Sequence, residues 1–459
     1  MCLHPTYTEN SIRWAVLNMS IDEYGRFDVV VVGSGVAGSS AAIAAARIGA
    51  RTLLIEKLPF LGGNSTAVLD TFYGFYTPGD RALKVVGGIG DEVVGGLRRL
   101  GPVIERPNTY GAGTGITYVA EHLKVVWENL VVDSGSMVLL HGFVQDVVVR
   151  DGRVVELVAA TKAGLRRVGA SVVIDASGDA DVCYQAGFGY ESAGTIGPAQ
   201  TLTTTFRMAN VDHDARATIN REQLHALMAE AAGSGEYDLP RQEGSDHITP
   251  ISGVFATVMT RIDPIVGTGE GARTVTDPDL LTQAEMEGRR QALEYARFLV
   301  DRVPGYGEAA LVAMSNQVGV RETRRVYGDY RLDRNDVLNA RQFDDQIGLC
   351  GAPIEDHHGG AGTGTTWKYL PDGRAVGIPL STLIVRDGVN TLTSGRCFSA
   401  THDAQASVRS MAQCMAMGQA AGTVAALAMA HGGSIRSVPF HRVHDRLTDE
   451  GAVLEMENS

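Results

Sequence analysis

The sequence predicts an α/β protein whose parallel-sheet domain is interrupted by an inserted α+β domain. Residues 28–56 have the pattern of a strand, a glycine turn, an alanine-rich helix and a second strand. Residues 172–179 repeat a buried strand that leads into a turn of small residues. Residues 194–380 differ from both in their longer polar helices and isolated strands, which indicates a second domain inserted into the first.

The first unit carries a glycine fingerprint. Gly33, Gly35 and Gly38 have the spacing GxGxxG, and 17 residues separate Gly38 from Glu56 at the end of the second strand. In such a unit the first glycine permits a tight turn, the second lets a pyrophosphate approach the backbone, and the third lets helix and strand pack closely. The helix N-terminus faces the phosphates and the acid binds a ribose hydroxyl. The pattern therefore favours a Rossmann-like, dinucleotide-binding fold and not a simple glycine-rich turn.

Hydrophobic periodicity and turn residues place the remaining elements. Helices are predicted at 37–49, 116–132, 221–232, 279–303 and 407–429. Strands are predicted at 137–140, 144–149, 154–159, 172–175, 201–208, 253–261, 381–385 and 391–393. The first strand is expected to begin at Phe27.

These elements divide the chain. We predict an N-terminal extension at 1–25, a dinucleotide-binding domain formed by 26–193 and 381–432, an inserted substrate domain at 194–380 and a C-terminal tail at 433–459. The last predicted helix has a face of small residues that includes Gly418 and Gly422, which lets it lie close against a sheet or a cofactor.

Composition excludes several classes of protein. The net charge of −13 and the lack of a lysine or arginine run argue against nucleic-acid binding. Five scattered cysteines without a CxxC pair indicate neither a disulfide framework nor a zinc site, and they fit a cytoplasmic protein. No signal-peptide pattern and no apolar run of about 18 residues is present, so no membrane partner is expected. Composition does not indicate an oligomeric state.

Further motifs resemble those of FAD-dependent oxidoreductases related to succinate dehydrogenase and fumarate reductase flavoproteins. Besides the fingerprint, the resemblance rests on residues 61–64, 174–179, 320–325, 353–357, 395–400, 407–411 and 418–422. It covers about residues 27–430. The resemblance implies FAD, a glutathione-reductase-like cofactor fold and redox chemistry at the isoalloxazine ring, but it does not supply a substrate.

The resemblance also implies the residues around FAD. Gly33, Gly35 and Gly38, with Val36 and Ala37 between them, would hold the pyrophosphate. The adenosine end would be formed by Glu56 at the ribose, Lys57 beside it and the backbone of Val144 at the adenine. The flavin and its ribityl chain would meet Gly62, Gly63, Asn64, Ala176, Ser177, Gly178, Gly395 and Arg396. Ser407, Val408 and Arg409 would open the last helix towards the pyrimidine end of the ring.

Two departures from related flavoproteins refine this picture. Residues 58–70 contain no histidine or cysteine, so non-covalent FAD is favoured. Residues 395–397 read Gly-Arg-Cys where aromatic hydroxylases and halogenases of related fold usually carry Gly-Asp-Ala, which counts against an NADPH-driven monooxygenase.

Four side chains are candidates for catalysis: His402, His357, Arg409 and Arg321. His402 precedes the last helix and is either a proton acceptor or a histidine bonded within a tight loop. His357 lies in an acidic, histidine-containing cluster that is more easily explained by a lid with glycines at 359–362 than by a metal. Arg321 begins a charged run that either clamps a carboxylate or forms ion pairs, and Arg409 needs an anionic partner.

The sequence predicts an FAD-dependent dehydrogenase or oxidase. A small organic substrate would bind between the two domains, a histidine would take a proton, and N5 of the flavin would take a hydride. The alternatives are a fumarate-reductase-like alkene reductase and a non-catalytic, flavin-binding redox sensor. No metal is expected.

Overall fold

The computed structural model describes residues 21–107, 111–194, 197–267, 272–358 and 364–456. The predicted N-terminal extension up to residue 20 and the predicted glycine lid at 359–362 lie outside the described residues. No helix within the described ranges combines the length and the apolar composition that a bilayer crossing requires.

The strands are numbered in chain order. They are β1 (Asp22–Val32), β2 (Thr52–Ile55), β3 (Thr71–Phe72), β4 (Ile104–Arg106), β5 (Gly115–Thr117), β6 (Met137–Leu139), β7 (Phe143–Arg150), β8 (Arg153–Thr161), β9 (Gly164–Asp175), β10 (Tyr190–Ser192), β11 (Phe206–Ala209), β12 (Ser245–Ile248), β13 (Phe255–Val258), β14 (Ile265–Val266), β15 (Arg273–Thr274), β16 (Ala310–Met314), β17 (Arg324–Val326), β18 (Gln346–Cys350), β19 (Ile354–His357), β20 (Thr365–Lys368), β21 (Val376–Pro379) and β22 (Thr391–Thr393).

The α-helices are numbered in the same way. They are α1 (Val36–Arg47), α2 (Asn64–Ala67), α3 (Ile89–Leu100), α4 (Ala120–Asp133), α5 (Asp181–Gln185), α6 (His213–Arg216), α7 (Arg221–Ser234), α8 (Pro278–Arg302), α9 (Arg334–Leu338), α10 (His402–Val408), α11 (Met411–Ala428) and α12 (Phe440–Asp449). Short 3₁₀ helices lie at Leu380–Thr382, Met429–His431 and Ile435–Ser437.

The largest sheet has the strand order β6-β2-β1-β9-β8-β7, with β22 pairing with β9. Strands β6, β2, β1, β9 and β22 run parallel, and β7 and β8 join as an antiparallel hairpin. Successive valines of β1 face opposite sides, so Val29 and Val31 enter one apolar core and Val30 and Val32 enter another. Burial on both faces is typical of parallel sheets. The predicted α/β, Rossmann-like fold is confirmed.

The small-residue face of α11 packs against α1. A β-carbon at Gly418 would overlap the carbonyl oxygen of Ala37, and one at Gly422 would overlap that of Ala41. The two helices therefore approach to backbone contact, which fixes α1 and the turn before it.

A second, antiparallel sheet has the order β12-β13-β11-β16. Phe206, Met208 and Phe255 point from one face into a core that also contains Tyr295 and Leu299 of α8. Its other face carries Thr205, whose hydroxyl donates to the carbonyl oxygen of Val68. This sheet therefore lies against the segment that follows α2. The domain boundaries at 194 and 380 stay predictions.

Several predicted boundaries are wrong. The first strand begins at Asp22, the helix expected from 116 begins at Ala120, and only parts of 201–208 and 253–261 are strands. Residues 381–385 form no strand, because Asp345 accepts from the backbone N–H of Ser381 and the hydroxyl of Thr382 donates to Pro379, which favours a 3₁₀ turn.

The long helix expected at 407–429 is broken. Helix α10 ends at Val408 and α11 begins at Met411, with Ser410 as its N-cap residue. The hydroxyl of Ser410 donates to the carbonyl oxygen of Ser407, a local bond that competes with the helical pattern. Ser407, Val408 and Arg409 therefore close one helix and do not open the last one.

Candidate functional site

Glycine is needed at each of the three fingerprint positions for a different structural reason. Gly33 has φ +90°, and a β-carbon there would lie 2.5 Å from the carbonyl oxygen of Ala176. A β-carbon at Gly38 would overlap the carbonyl oxygen of Gly33. A β-carbon at Gly35 would meet no atom within 4 Å, so this glycine faces open space at the N-terminus of α1. That space is suited to a phosphate group.

A long cleft starts at this turn. The predicted site residues that line it are Gly33, Gly35, Val36, Ala37, Glu56, Lys57, Gly62, Gly63, Asn64, Val144, Ala176, Ser177, Gly178, Arg321, Gly395, Arg396 and Arg409. Residues distant in sequence therefore meet along one surface. Gly38, Ser407, Val408, His357 and His402 do not line it. Gly38 packs α1 on β1, and Ser407 donates to the carbonyl oxygen of Ala352 at 2.6 Å.

Glu56 is buried and held from two sides. Its Oε2 accepts hydrogen bonds from the backbone N–H and the hydroxyl of Ser34, and its Oε1 accepts from the N–H of Leu58 at 2.8 Å. A carboxylate has about four acceptor positions, so Glu56 retains capacity for a ribose hydroxyl.

These features fit FAD. The open space at Gly35 accommodates a pyrophosphate, Glu56 can hold the adenosine ribose, and the cleft continues past Gly63 and Gly395 to Arg321 and Arg409.

The sequence argument missed several lining residues. Asp179 forms an ion pair of 2.6 Å with Arg396 and accepts from the hydroxyl of Thr323 at 2.9 Å. Cys414, on the first turn of α11, also lines the cleft. Burial raises the pKa of its thiol to about 12, so the thiol stays protonated at neutral pH. The position of Asp179 directly after Gly178 was the only signal in the sequence.

Arg321 and Arg409 form the far end of the cleft. Arg321 donates to the carbonyl oxygen of Thr201 at 2.6 Å, and Arg409 donates to Oε1 of Gln200 at 2.8 Å. Nε of Arg409 is buried and has no hydrogen-bond partner among the described residues. Burial, reinforced by the charge of Arg409, lowers the pKa of Arg321 to about 9. Arg409 follows the C-terminus of α10, where the helix dipole favours a cation.

Glu355 and His357 project from β19 towards these arginines. Nε2 of His357 lies 3.0 Å from Oε1 of Glu355, and its Nδ1 lies 3.2 Å from the hydroxyl of Thr365. Burial and then the charge of Arg321 lower the pKa of His357 to about 3. Burial acts to raise the pKa of Glu355, but His357, Arg409 and Arg321 together lower it to about 2. At neutral pH the imidazole is neutral and the carboxyl is ionised.

His402 lies between two carboxylates, Glu322 and Asp356. Its Nδ1 is 2.8 Å from Oε2 of Glu322 and its Nε2 is 3.1 Å from Oδ1 of Asp356. Burial acts to lower the pKa of His402, but the two carboxylates raise it to about 9. The imidazole is therefore protonated at neutral pH and has no free lone pair with which to accept a proton.

The other charges of the 321–325 run form ion pairs. Arg325 pairs with both Glu322 and Glu191, and Arg324 pairs with Asp181 at 3.1 Å. Arg321 is the member of this run that reaches the cleft.

One group of potential metal ligands occurs in the described ranges. Atoms of Asp356, His402 and Asp403 lie within 4.8 Å of one another. However, Arg334 and Lys368 approach Asp403 at 3.5 and 3.8 Å, and His402 holds a proton. Positive charge is thus already supplied by protein groups, and the absence of a metal stays a prediction.

Curated relatives match only short parts of the chain. The cytochrome-type fumarate reductase of Shewanella frigidimarina is 48% identical over 58 residues, which is 13% of this chain and 10% of that protein. A probable sarcosine oxidase of Arabidopsis thaliana is 56% identical over 43 residues, which is 9% of this chain and 10% of that protein. The chain thus matches about a tenth of the length of these curated relatives.

Solved structures match over most of the chain at low identity. A geranylgeranyl bacteriochlorophyll reductase-like protein from Thermoplasma acidophilum has a TM-score of 0.46 and 14% identity, covering 95% of this chain and 85% of its own. The p-nitrophenol 4-monooxygenase of Pseudomonas putida DLL-E4 has a TM-score of 0.46 and 13% identity, covering 94% and 86%.

A family model described as FAD dependent oxidoreductase matches residues 28–447, nearly the whole described chain. The match includes the glycine turn, Glu56, Arg396 and Arg409, which together form the cleft. The predicted cofactor is confirmed as FAD. The chain therefore belongs to the family of FAD-dependent oxidoreductases.

Proposed function

We propose that this chain oxidises a small organic substrate that carries a carboxylate or a similar anionic group, held at the end of the cleft by Arg321 and Arg409. Bound FAD supplies two-electron redox chemistry by accepting a hydride. The observation that carries the proposal is the pair of arginines, Arg321 and Arg409, on the cleft wall.

The charges at this end favour an anion. Arg321 and Arg409 act on one ionised carboxylate, Glu355, and Arg241 and Arg261 add further positive charge near Arg321, so this region carries an excess of positive charge. A substrate carboxylate balances it, and a guanidinium binds a carboxylate through two parallel hydrogen bonds. Gln200 fixes the direction of Arg409.

We propose His357 in preference to His402 as the proton acceptor. Because His357 does not line the cleft and its two ring nitrogens contact Glu355 and Thr365, it would have to leave Thr365 and turn towards the substrate. His357 is neutral at physiological pH, whereas His402 is already protonated. Arg321 is one cause of the low pKa of His357, so an anion bound to Arg321 would raise that pKa and make His357 a better base.

The second candidate is an alkene reductase, the same site working in the opposite direction. The short match to a fumarate reductase favours it. A non-catalytic redox sensor is the third, and the arginine pair argues against it because a sensor needs no substrate anchor. Cytoplasmic location, non-covalent attachment of FAD and the inserted position of the substrate domain stay predictions.

The test is anaerobic mixing of the FAD-bound protein with a panel of hydroxy, amino and saturated carboxylic acids, each beside its methyl ester. We expect an acid, and not its ester, to bleach the visible flavin band, and air to restore the colour if the protein is an oxidase. Arg409→Gln should slow bleaching about 100-fold, equal to about 2.7 kcal/mol, while the exposed Arg442→Gln should not.

If the ester reacts as fast as the acid, the anion proposal is wrong. If chemically reduced protein is reoxidised by an unsaturated acid, while no saturated acid bleaches the flavin, the reductase is correct.

A further inference from the structure

His402 contacts two carboxylates, and these come from segments that are far apart in sequence. Its imidazole starts α10, while Asp356 lies in the middle of β19 and Glu322 precedes β17. Glu322 is fully buried and Asp356 is only 9% exposed. The ring lies between the two carboxylates: Nδ1 is hydrogen-bonded to Glu322 at 2.8 Å, while Nε2 and Oδ1 of Asp356 form an ion pair at 3.1 Å without hydrogen-bond geometry.

Strand β19 and helix α10 each lie beside the two arginines of the cleft. Successive side chains of a strand point to opposite faces, so Asp356 faces away from its neighbours Glu355 and His357. Asp356 meets His402, while Glu355 and His357 are charge-coupled to Arg321 and Arg409 on the other side. Helix α10 in turn leads directly to Arg409.

Other charged groups surround the ring. Arg325 and Glu191 pair behind Glu322, His358 lies 3.5 Å from Asp356, and Asp403, Arg334 and Lys368 form a neighbouring ion-pair group. The two groups in direct contact with the ring are both carboxylates, and both favour the protonated imidazole.

We propose that His402 is a positioning residue: its imidazolium clamps β19 against α10 and thereby keeps Glu355 and His357 directed at Arg409. The roles of those three residues rest on the proposed function, but the clamp itself does not. Loss of the proton would leave two buried carboxylates without their shared cation, and the β19–β20 hairpin would separate from α10.

The test is hydrogen–deuterium exchange on the FAD-bound protein, which needs no substrate. At pH 7.5 we expect amides of 354–357 and 365–368 to exchange about tenfold faster in His402→Gln than in the wild type. His441→Gln is the control, because His441 is an exposed histidine on α12 and is not part of the β19–β20 hairpin. It should exchange like the wild type.

A pH series on the unaltered protein distinguishes a clamp from simple packing. After correction for intrinsic rates, protection of these amides should fall as pH rises through about 9, where His402 loses its proton. His402→Gln should show no such step.

Equal exchange in wild type and His402→Gln, or a pH step that survives in the variant, would overturn the clamp. If the variant does not fold, the wild-type series decides alone: a step confined to β19, β20 and α10 supports the proposal, and a uniform loss or none overturns it. Neither result depends on whether an acid bleaches the flavin.

Discussion

Ser34 is bound twice to Glu56: its hydroxyl and its backbone N–H both donate to Oε2, each at 2.7 Å. The glycine turn and the acid that follows β2 are thereby held as one unit. Each of the two bonds is charge-assisted, a class that is stronger than neutral pairs.

The first prediction concerns this unit. Glu56→Gln removes the charge and replaces one acceptor with a donor that faces the N–H of Ser34, so we expect the affinity for FAD to fall at least tenfold, equal to about 1.4 kcal/mol. Reconstitution of apoprotein, followed by flavin fluorescence, measures it. Glu92→Gln is the control, because Glu92 pairs with Arg47 on the surface. Equal affinities of the two variants would contradict the assignment.

The second prediction concerns helix packing. Gly418→Ala places a methyl group against the carbonyl oxygen of Ala37, so we expect a loss of roughly 3 kcal/mol in unfolding free energy. Gly233→Ala, in α7, meets no atom within 4 Å and should gain roughly 0.5–1 kcal/mol because alanine restricts the unfolded chain. Denaturant unfolding of both variants checks the opposite signs. A stabilised Gly418→Ala would refute the packing argument.

The third prediction concerns pH. Burial, reinforced by Asp179 and Asp175, raises the pKa of Asp181 to about 6. A carboxyl whose pKa is raised on folding stabilises the protein below its unfolded pKa of about 3.9, and this contribution is lost as pH rises through about 6. We therefore expect Asp181→Asn to be more stable than wild type at pH 7.5, by about 1–2 kcal/mol allowing for partial exposure. The gain should disappear near pH 4, and a gain independent of pH would exclude this explanation.

The fourth prediction concerns a contact between the segment that follows α2 and the sheet β12-β13-β11-β16. Asp70, which follows the cleft residues Val68 and Leu69, lies 2.9 Å from Nε2 of His247 on β12. His247→Ala leaves a buried carboxylate without this partner and should cost about 3 kcal/mol. The exposed His441→Ala should cost nothing measurable. Thermal unfolding compares them, and similar midpoints would show that the contact contributes little.

Local sequence was sufficient for the cofactor end. The glycine spacing and the strand that ends at Glu56 act within one βαβ unit, where backbone geometry leaves little choice of structure. The same reasoning failed at 407–411, because helix propensity does not reveal that Ser410 bonds back to Ser407 and interrupts the helix. It failed again at 381–385, where a distant carboxylate, Asp345, binds the backbone.

The sequence by itself determined the Rossmann-like fold, because the glycine turn and its flanking strands depend on short-range backbone geometry, and the resemblance to FAD-dependent oxidoreductases predicted the cofactor. Only the tertiary structure decided the states of the histidines. Two histidines that the sequence could not rank differ in charge at neutral pH: His357 is neutral because it is buried beside Arg321, and His402 is protonated because Glu322 and Asp356 face it. Those neighbours come from segments distant in sequence, and a pKa is set by what surrounds the group in space.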